Sequence, residues 1–338
     1  MGRLLITGGT GYIGSHAAVV LSKIGHDVVL YDNLSNSSRC VLENLNLIVG
    51  RQIPFVKGDV RDTELLISTL SAQGIDAVIH FAGLKAVGES VEQPVKYYGN
   101  NVQGSISLLQ AMQAVQVKTL VFSSSATVYG EPQYLPLDER HPIRATNPYG
   151  RSKLYVEQML SDVVSADAAW RIACLRYFNP VGAHESGLIG ERPNGVPNNL
   201  MPYIIQVAAG QRPYLNVFGN DYSSTDGTGV RDYIHVMDLA DGHAAALDFL
   251  DKTSGWHAIN LGTGKGYSVL EVIKACEKAT GRKVPYKIAA RRAGDVAACY
   301  ADPAKASERL NWTAKRSLDD MCHSSWRFQQ KNRLRVTP

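Results

Sequence analysis

Residues 3–16 read RLLITGGTGYIGSH, and this stretch decides the fold. A short aliphatic run ends in a glycine-rich turn, and a helix-like amphipathic stretch over 13–25 follows at once. Gly8, Gly11 and Gly14 permit a tight turn, close approach of the backbone to a pyrophosphate, and close packing of the helix. Because strand, turn and helix stand in the order that a dinucleotide requires, the stretch predicts a dinucleotide-binding βα unit rather than an ordinary glycine-rich loop.

The same alternation of apolar runs and helix-like stretches continues through the first half of the chain. Between the strands, 62–74 and 100–116 read as further helices. Continuous apolar strands separated by helices indicate an α/β fold with a Rossmann-type, doubly wound parallel sheet that is covered on both faces. The predicted strands cover 3–9, 27–33, 53–59, 76–83, 119–125 and 171–179.

The residue composition changes after about residue 180, since 179–204 is rich in Gly, Pro and Asn. We therefore expect two domains in a chain of this length. Residues 1–180 are predicted to form the NAD-binding Rossmann domain, and 181–338 a smaller mixed α/β substrate domain. Part of 231–262 is expected to pack back on the first domain.

The composition limits the classes of function. The 338 residues carry 35 Lys and Arg against 31 Asp and Glu, a balance typical of a globular enzyme, and the one basic run, 331–336, is too short for a nucleic-acid footprint. Five cysteines lie far apart without a C-x-x-C pair, which argues against a disulfide framework or a structural zinc site. No stretch is long and apolar enough for a signal peptide or a membrane span, so we expect a cytoplasmic protein without a membrane, nucleic-acid or metal partner.

Acidic residues close the second and third predicted strands. Asp32 stands where a carboxylate accepts hydrogen bonds from the adenosine ribose, and it repels a 2′-phosphate, so we predict NAD rather than NADP. Asp59 either accepts from the adenine amino group or caps the helix that follows, and the sequence does not separate these roles. Residues 81–83 close the fourth strand and are expected to line the middle of the cofactor.

Tyr149 and Lys153 stand four residues apart at the start of a predicted helix, on one face of it. Pro148 suits the first helical position, and Asn147 or Thr146 suits the cap. A tyrosine has a pKa of about 10, and a nearby ammonium together with the positive nicotinamide ring would bring that pKa toward neutrality. After a dinucleotide fingerprint, the pair therefore predicts a catalytic base and its partner.

The predicted strand 119–125 ends in three serines. Ser125 is predicted to be the third catalytic residue, because its hydroxyl would bond the reacting oxygen beside Tyr149. Ser123 and Ser124 are expected to pack the strand end or to contact the cofactor.

TGxxGxxG, the strand-end serine and YxxxK together resemble the extended short-chain dehydrogenase/reductases. More narrowly, nearly the whole chain resembles the UDP-galactose 4-epimerase family, in TGGTGYIGSH, HFAGLKAVGES, FSSSATVYG, NPYGRSK, LRYFNPVGAH, PNNLMPYI and GTGVRDYIHVMDLADGH. The resemblance implies that the C4 hydride of UDP-galactose or UDP-glucose passes to tightly bound NAD and returns to the other face after the 4-keto sugar has rotated. It also implies a homodimer that pairs the helices at 100–116 and 149–165, although core packing would explain their apolar faces equally well.

The resemblance further implies the residues of both binding sites. Arg231 and Arg292 are expected to hold the diphosphate, and 216–218 to run beside uracil. Asp295 either bonds the substrate ribose or caps a turn. The residues assigned to NAD are Gly8, Gly11, Tyr12, Ile13, Gly14, Asp32, Asn33, Leu34, Ser35, Asn36, Ser37, Asp59, Val60, Phe81, Ala82, Gly83, Leu84, Lys85, Asn100, Ser125, Tyr149, Lys153 and Phe178. The residues assigned to the UDP-sugar are Ser125, Tyr149, Asn179, Asn199, Asn216, Val217, Phe218, Arg231, Arg292, Asp295 and Cys299.

Other functions for the same parts need features that the sequence does not offer. A nucleotide-sugar 4,6-dehydratase carries Asp-Glu after the catalytic hydroxyl residue, where this chain has Ala126 and Thr127. A uronate epimerase or decarboxylase needs a group for a C6 carboxylate, and none is identified. A dinucleotide-sensing regulator has no use for Tyr149 and Lys153. Another NAD-dependent nucleotide-sugar epimerase or dehydrogenase remains the alternative.

Cys299 lies on the stretch that, in this family, walls the sugar chamber, at a position that varies between tyrosine and smaller residues. A nucleophilic thiol has no part in the implied reaction. We therefore predict that its small side chain admits UDP-N-acetylglucosamine and UDP-N-acetylgalactosamine as well as the plain hexoses.

Overall fold

The computed structural model describes residues 2–192, 195–292 and 294–333, so the end of the basic run at 331–336 lies outside the described residues. The strands are β1 (Arg3–Thr7), β2 (Asp27–Asp32), β3 (Phe55–Lys57), β4 (Ala77–His80), β5 (Thr119–Ser125), β6 (Arg171–Tyr177), β7 (Asn179–Val181), β8 (Leu215–Phe218), β9 (Val230–His235), β10 (Gly255–Leu261), β11 (Gly266–Ser268), β12 (Tyr286–Ala289) and β13 (Ala298–Cys299). The helices are α1 (Tyr12–Lys23), α2 (Cys40–Val49), α3 (Thr63–Gln73), α4 (Val87–Glu92), α5 (Pro94–Tyr97), α6 (Gln103–Ala114), α7 (Pro148–Ala166), α8 (Leu200–Ala208), α9 (Val236–Leu250), α10 (Val269–Thr280), α11 (Ala304–Leu310) and α12 (Leu318–Arg333).

Seven strands form one sheet in the order β10-β6-β5-β4-β1-β2-β3, and every neighbouring pair in it is parallel. The chain runs outward from β1 to β3, then crosses to β4 and runs outward the other way to β10. The strand order therefore reverses between β1 and β4, and in doubly wound sheets ligands bind beyond the carboxyl ends of the strands at this reversal. The predicted α/β class with a doubly wound parallel sheet is confirmed.

Both faces of the sheet are buried, because successive residues of a strand point to opposite sides. Leu4 and Ile6 of β1 belong to the core that includes Leu21 of α1 and Leu247 of α9. Leu5, between them, belongs to the core on the side of α3, α6 and α7. No solvent-facing row remains along β1, which explains why such strands read as continuous apolar runs.

Several predicted elements extend beyond the observed ones, and two of these differences lie next to the candidate site. The strand predicted at 76–83 ends at His80, and residues 81–83 form a loop above the sheet edge. The helix predicted at 100–116 is α6, and it is preceded by a π-helical turn at Tyr98–Val102. Both errors lie at the carboxyl edge of the sheet, where the chain serves the site rather than the regular pattern.

Beyond β6 the chain builds a second layer and then returns. β7, β11 and β13 each pair with β9, and β8 pairs with β12. Residues of α8, α10 and α12, among them Ile204, Val272 and Met321, share a separate core. In between, α9 packs on α1 and β10 joins the large sheet beside β6. In the described ranges no helix is long and apolar enough to cross a membrane.

Candidate active site

The turn between β1 and α1 passes so close to other backbone that two of its glycines leave no room for a side chain. Gly8 has a φ of +68°, and a Cβ there would lie 2.7 Å from the amide nitrogen of Ala82. A Cβ on Gly14 would lie 2.2 Å from the carbonyl oxygen of Gly8. Because α1 begins at Tyr12, its first N–H groups lie beside this turn. A bare backbone turn at a helix N-terminus fits the pyrophosphate of the predicted dinucleotide.

Asp32, at the end of β2, ties this turn to the loop after β2. Its carboxylate accepts hydrogen bonds from the backbone N–H of Thr10 at 3.1 Å and of Leu34 at 2.8 Å. The hydroxyls of Thr10 and Ser37 lie 2.6 Å apart and join the two segments a second time. A carboxylate fixed at this edge fits ribose hydroxyls and repels an added phosphate, so these residues fit NAD. The same loop carries the predicted contacts Asn33, Leu34, Ser35, Asn36 and Ser37.

Asp59, just after β3, lies near the same loop. It accepts hydrogen bonds from Nδ2 of Asn33 at 3.1 Å and from Nε of Arg61 at 2.8 Å, and the guanidinium holds the pKa of this carboxyl well below its usual value. The cap of α3 is Asp62, whose side chain accepts from the N–H of Leu65 at 3.0 Å. The alternative that Asp59 caps the helix is therefore wrong, and its contact with adenine stays a prediction.

A buried asparagine that the sequence did not single out holds the loop after β4. Oδ1 of Asn101 accepts from the N–H of Leu84 at 2.8 Å, and Nδ2 donates to the carbonyl of Leu84 and to Oγ of Ser152, each at 3.0 Å. The predicted Asn100 lies one residue earlier in the π turn and is half-buried. The Asn-Asn pair was the available signal, but the π turn decides which of the two meets the loop. The loop itself carries the predicted contacts Phe81, Ala82, Gly83, Leu84 and Lys85.

α7 presents the predicted catalytic pair on one side. Oδ1 of Asn147 accepts from the N–H of Gly150 at 2.9 Å, which caps the helix, and Pro148 stands at its first position. Asn147 rather than Thr146 is thus the cap. One turn further on, Nζ of Lys153 donates to the carbonyl oxygen of Ser123 at 2.6 Å. The helix start therefore fixes Tyr149 and Lys153 against the carboxyl end of β5.

The side chain of Tyr149 is half-buried and interacts with that of Ser125. Burial raises the pKa of its phenol, and the bond with Ser125 and the charge of Lys85 lower that pKa only in part. Burial also lowers the pKa of Lys153 to about 8. In the chain alone burial outweighs these two effects, and the predicted shift of the phenol pKa toward neutrality stays a prediction. The lowering needs the positive charge of the nicotinamide ring as well.

Glu191 joins a predicted cofactor residue, Lys85, to a predicted substrate residue, Asn199. Its Oε1 accepts from Nζ of Lys85 at 2.8 Å and from Nδ2 of Asn199 at 2.7 Å. The side chain of Glu191 is only 11% exposed, so this contact is sheltered from water. The sequence did not single out Glu191, because no local spacing relates it to Lys85, which lies on a different layer of the molecule.

Several predicted substrate residues meet on the second layer. Asp295 pairs with Arg292 at 2.9 Å and lies 3.8 Å from Arg231. The guanidinium of Arg292 lies over the ring of Phe218, 4.8 Å from its centroid. Asn216, on the same face of β8 as Phe218, is exposed. Two arginines and an open aromatic ring thus stand together, while the carboxylate of Asp295 orients the arginines.

Cys299 lies opposite Arg231 in the pairing of β13 with β9. It packs against the cluster that contains Ala126 and Phe178, directly beside the turn that follows Ser125. Burial raises the pKa of its thiol to about 11, so the thiolate needed for nucleophilic chemistry does not form at neutral pH.

Three apolar residues among the predicted contacts turn their side chains into the core, namely Val60, Phe178 and Val217. Val60 is 6% and Val217 is 1% exposed, so each can offer a ligand only its backbone. Asn179, in contrast, is exposed on β7. His235 accepts a hydrogen bond from the N–H of Met237 and caps α9. Within 2–192, 195–292 and 294–333, no three His, Cys, Asp or Glu side chains are grouped as a metal site.

Known proteins share this fold and these motifs. The family described as GDP-mannose 4,6 dehydratase matches residues 5–325. The UDP-glucose 4-epimerase of Bacillus subtilis (strain 168) is 57% identical over 329 residues, which is 97% of each chain. The UDP-glucose-4-epimerase of Stenotrophomonas maltophila, solved with bound NAD and formylated UDP-arabinopyranose, has a TM-score of 0.98 at 50% identity and covers 99% of this chain and 100% of that one. The Bifidobacterium longum enzyme, solved with NAD+ and UDP, has a TM-score of 0.95 at 53% identity, with 98% and 99% covered.

Proposed function

Because the chain belongs to the UDP-glucose 4-epimerases, within the extended short-chain dehydrogenase/reductase family, we infer that it interconverts UDP-galactose and UDP-glucose by NAD-dependent oxidation and re-reduction at C4. One observation carries this conclusion. Tyr149 at the start of α7 is half-buried and interacts with Ser125 at the carboxyl end of β5. Beside it the strand order reverses and the Gly8 turn admits only bare backbone. The protein is therefore an isomerase whose base lies at the cofactor edge of the sheet.

The residues that would hold NAD lie along that edge. The turn from Gly8 to Gly14 would take the pyrophosphate, Asp32 the adenosine ribose, and the loop 81–85 the middle of the molecule. Bound NAD supplies the acceptor and later the donor of the C4 hydride. Its positive ring adds the charge that Tyr149 needs, since Ser125 and Lys85 offset burial only in part.

The chain itself moves the proton. Tyr149 takes the proton of the sugar 4-hydroxyl in the first half-reaction and gives it back in the second, while Ser125 bonds the same oxygen. Arg231 and Arg292 would hold the diphosphate by bidentate hydrogen bonds. An anchor at the diphosphate leaves the hexose free to rotate, so that either face of the 4-keto sugar can meet the cofactor.

The dehydratase reaction named in the matched family description needs an acid and a base next to Ser125. Ala126 and Thr127 follow it here, in a 3₁₀ turn, and the hydroxyl of Thr127 donates to Ser125 at 3.0 Å. A methyl group and an occupied hydroxyl cannot remove a carbon-bound proton and protonate a leaving hydroxyl. This argument favours epimerisation without elimination of water.

We also propose that UDP-N-acetylglucosamine and UDP-N-acetylgalactosamine are substrates. Cys299 lies beside Ala126 and Phe178 and opposite Arg231, on the side of the site where the arginines would hold the diphosphate. A cysteine at this position leaves space that a tyrosine would fill. The support for this proposal is the small volume of the side chain and its place.

A homodimer through α4, α5 and α7 is a further proposal. Val91 and Val95 are 62% and 81% exposed, and Tyr155 of α7 is 47% exposed, so apolar side chains stand open on adjacent helices. The apolar face of α6 is used inside, since Leu108 and Met112 belong to the sheet core. Light scattering on the wild type and on Val91→Glu with Val95→Glu tests the surface: a wild-type dimer that becomes a folded monomer supports it.

The free cysteines support a reducing, cytoplasmic location.

The proposed function is tested on the purified protein without added cofactor. We expect NAD to co-purify, and UDP-galactose to be converted to UDP-glucose. Tyr149→Phe removes the phenol and is expected to lose nearly all turnover while NAD stays bound, because Tyr149 lies on the proton path and not on the pyrophosphate cradle. Full turnover in that variant, or oxidation of a free alcohol in place of epimerisation, contradicts the proposal.

A further inference from the structure

The three serines that end β5 each contact a different turn of α7. Ser125 interacts with Tyr149, and the carbonyl of Ser123 accepts from Nζ of Lys153 at 2.6 Å. Between them, Oγ of Ser124 donates to Oε1 of Glu157 at 2.5 Å. Positions 149, 153 and 157 are four residues apart, so their side chains lie in one row along the helix. The strand end and the helix are therefore joined at three points, of which the proposed reaction uses two.

The third contact is the most deeply buried. Glu157 is 1% exposed, and it also accepts from Nε of Arg176 at 3.0 Å and from Nη2 at 2.6 Å. Arg176 lies on β6 and is paired in register with Ser124. The carboxylate thus binds one residue from each of two neighbouring strands and fixes α7 against both.

The network continues to the turn that follows Ser125. Nη1 of Arg176 donates to the hydroxyl of Tyr129 at 3.1 Å, and that hydroxyl donates to Oδ1 of Asn260 on β10 at 2.6 Å. Tyr129 comes directly after the 3₁₀ turn at Ala126–Val128. Glu157 and its partners therefore support the segment around Ser125 on two sides, from α7 and from the 3₁₀ turn at Ala126–Val128.

A buried ion pair is a costly way to hold a helix on a sheet. Removing two charges from water offsets most of their attraction, and an apolar pair of equal volume often stabilises a fold as well. A charged pair has a direction, however, since each oxygen of Glu157 meets a particular donor. The pair therefore fixes one register of α7 on β5, which apolar packing alone does not.

The charge of Glu157 also acts on Lys153. Burial lowers the pKa of the Lys153 ammonium, and Glu157, one turn away, raises it in part. The other titratable groups near Lys153 are His80 on β4 and Cys174 on β6. Burial keeps both neutral near pH 7, because it lowers the pKa of His80 to about 3 and raises that of Cys174. Glu157 is thus the negative charge that faces Lys153.

We propose that Glu157 is a positioning residue: it sets the register of α7 on β5, and so holds Tyr149 and Lys153 against Ser125 and Ser123. This inference rests on the proposed function for its effect on turnover. Its contacts with Ser124 and Arg176 exist independently of any substrate.

The test uses two variants and one control in the holoenzyme. Ser124→Ala removes one bond to Glu157 and leaves the ion pair. Glu157→Gln combined with Arg176→Gln removes both charges together, so that neither remains buried alone. Asp162→Asn, which neutralises an exposed carboxylate on the same helix, is the matched control. Each protein is assayed for kcat and KM between about pH 6 and pH 10.

We expect kcat to fall on the order of 10-fold in Ser124→Ala and on the order of 100-fold in the double variant, with KM within about 3-fold, because the misplaced groups act on the reacting oxygen. In the double variant the alkaline limb of the kcat profile moves to lower pH, since Lys153 loses its proton earlier without Glu157. Asp162→Asn retains the wild-type values.

A second measurement does not depend on turnover. Lysine labelled with ¹³C at Cε reports the titration of Lys153 by NMR, with the signal assigned from Lys153→Arg. We expect this titration at lower pH in the double variant than in the wild type. A wild type that binds NAD but does not epimerise UDP-galactose contradicts the proposed function, and the NMR titration still decides the role of Glu157.

Two results overturn the inference. The first is a folded double variant with the wild-type titration of Lys153 and the wild-type kcat profile. The second is a loss of thermal stability alone, with kcat per folded molecule unchanged in both variants, because that describes a structural ion pair and no more.

Discussion

Tyr149 is the proposed base, and its surroundings oppose its ionisation. Burial raises the pKa of the phenol, and of the side chains around it, Ser125 lowers that pKa most and Lys85 next. The phenolate therefore depends on its interaction with Ser125 and on nearby positive charge. The pKa of a side chain held in this way changes measurably when one partner is removed.

Ser125→Ala is predicted to shift the pH profile as well as to lower the rate. Without the bond from Ser125 the pKa of Tyr149 rises, so the acid limb of kcat moves to higher pH, and kcat at pH 7 falls on the order of 100-fold. The loss shrinks as the pH rises. Thr127→Val is the control, since Thr127 bonds Ser125 through its own hydroxyl and leaves Tyr149 untouched. An equal loss at every pH contradicts the prediction.

Cys299→Tyr is predicted to separate two substrates. The added ring fills space beside Ala126 and Phe178, so turnover of UDP-N-acetylgalactosamine falls at least about 10-fold while that of UDP-galactose changes little. Cys299→Ser has almost the volume of cysteine and is expected to retain both reactions. Both variants are compared by kcat/KM on the two substrates. An equal change of both reactions in Cys299→Tyr excludes a steric gate.

At this scale the sequence predicted residue types better than partners. The acid at the end of β2 and a cap at Asn147 or Thr146 follow from local rules. The structure shows Asn147 as the cap and Asp32 in ordered contacts with the chain, while the ribose contact of Asp32 stays a prediction. Glu191 and Asn101 do not follow from local rules. The partners of Glu191 come from distant segments, and the direction in which the Asn101 side chain points depends on a π turn. Long-range packing, which no spacing encodes, selects such residues.

At the scale of elements, the turn between β1 and α1 is the least tolerant part of the site. Its backbone contacts itself at Gly14 and the loop after β4 at Gly8. A substitution here displaces backbone rather than a flexible side chain. The helix and the turn must therefore move together, and the cofactor edge moves with them.

Gly14→Ala is predicted to empty the enzyme of NAD. Its Cβ would lie 2.2 Å from the carbonyl oxygen of Gly8, so the turn must open, at a cost of about 1–3 kcal/mol in stability. The absorbance of co-purified NAD measures the loss. Gly88→Ala is the matched control, because a Cβ there meets nothing within 4 Å and α4 accepts alanine well. A Gly14→Ala protein that retains its NAD refutes the close-approach argument.

The elements were easier to predict than their ends. Continuous apolar runs indicated β1, β2 and β5 because a strand buried on both faces has no polar side. Residues 81–83 continue such a run and nevertheless leave the sheet, since an apolar loop above the edge reads like a strand. The π turn before α6 has no periodic signature at all.

At the scale of the molecule, burial of histidines makes the fold sensitive to acid. The pKa is lowered by burial to about 3 in His16 and His80, and to about 4 in His235 and His243. In an unfolded chain a histidine titrates near 6.5, so between pH 6.5 and 4 the unfolded state binds more protons. Stability is therefore full above pH 6.5 and is lost as the pH falls below it.

We predict a steep loss of stability between pH 7 and pH 5. Each of these four histidines contributes about 2 kcal/mol of loss at pH 5, and their sum of about 8 kcal/mol approaches the whole stability of a typical domain. Urea unfolding at a series of pH values measures the slope. His80→Asn removes a titrating group and is expected to reduce the slope by about one proton. A flat profile down to pH 5 contradicts the prediction.

The pairing of β10 with β6 has a consequence for synthesis. About 80 residues separate the end of β6 at Tyr177 from the start of β10 at Gly255. At ribosomal speeds of about 5–20 residues per second, β10 is synthesised about 4–16 s after β6, and until then that edge of β6 is unpaired. During that interval the nascent chain carries an open row of N–H and C=O groups on a largely apolar strand, the usual template for pairing with another chain. The risk of aggregation is therefore greatest during synthesis on the ribosome, and closely spaced ribosomes or a translational pause in this stretch would increase it.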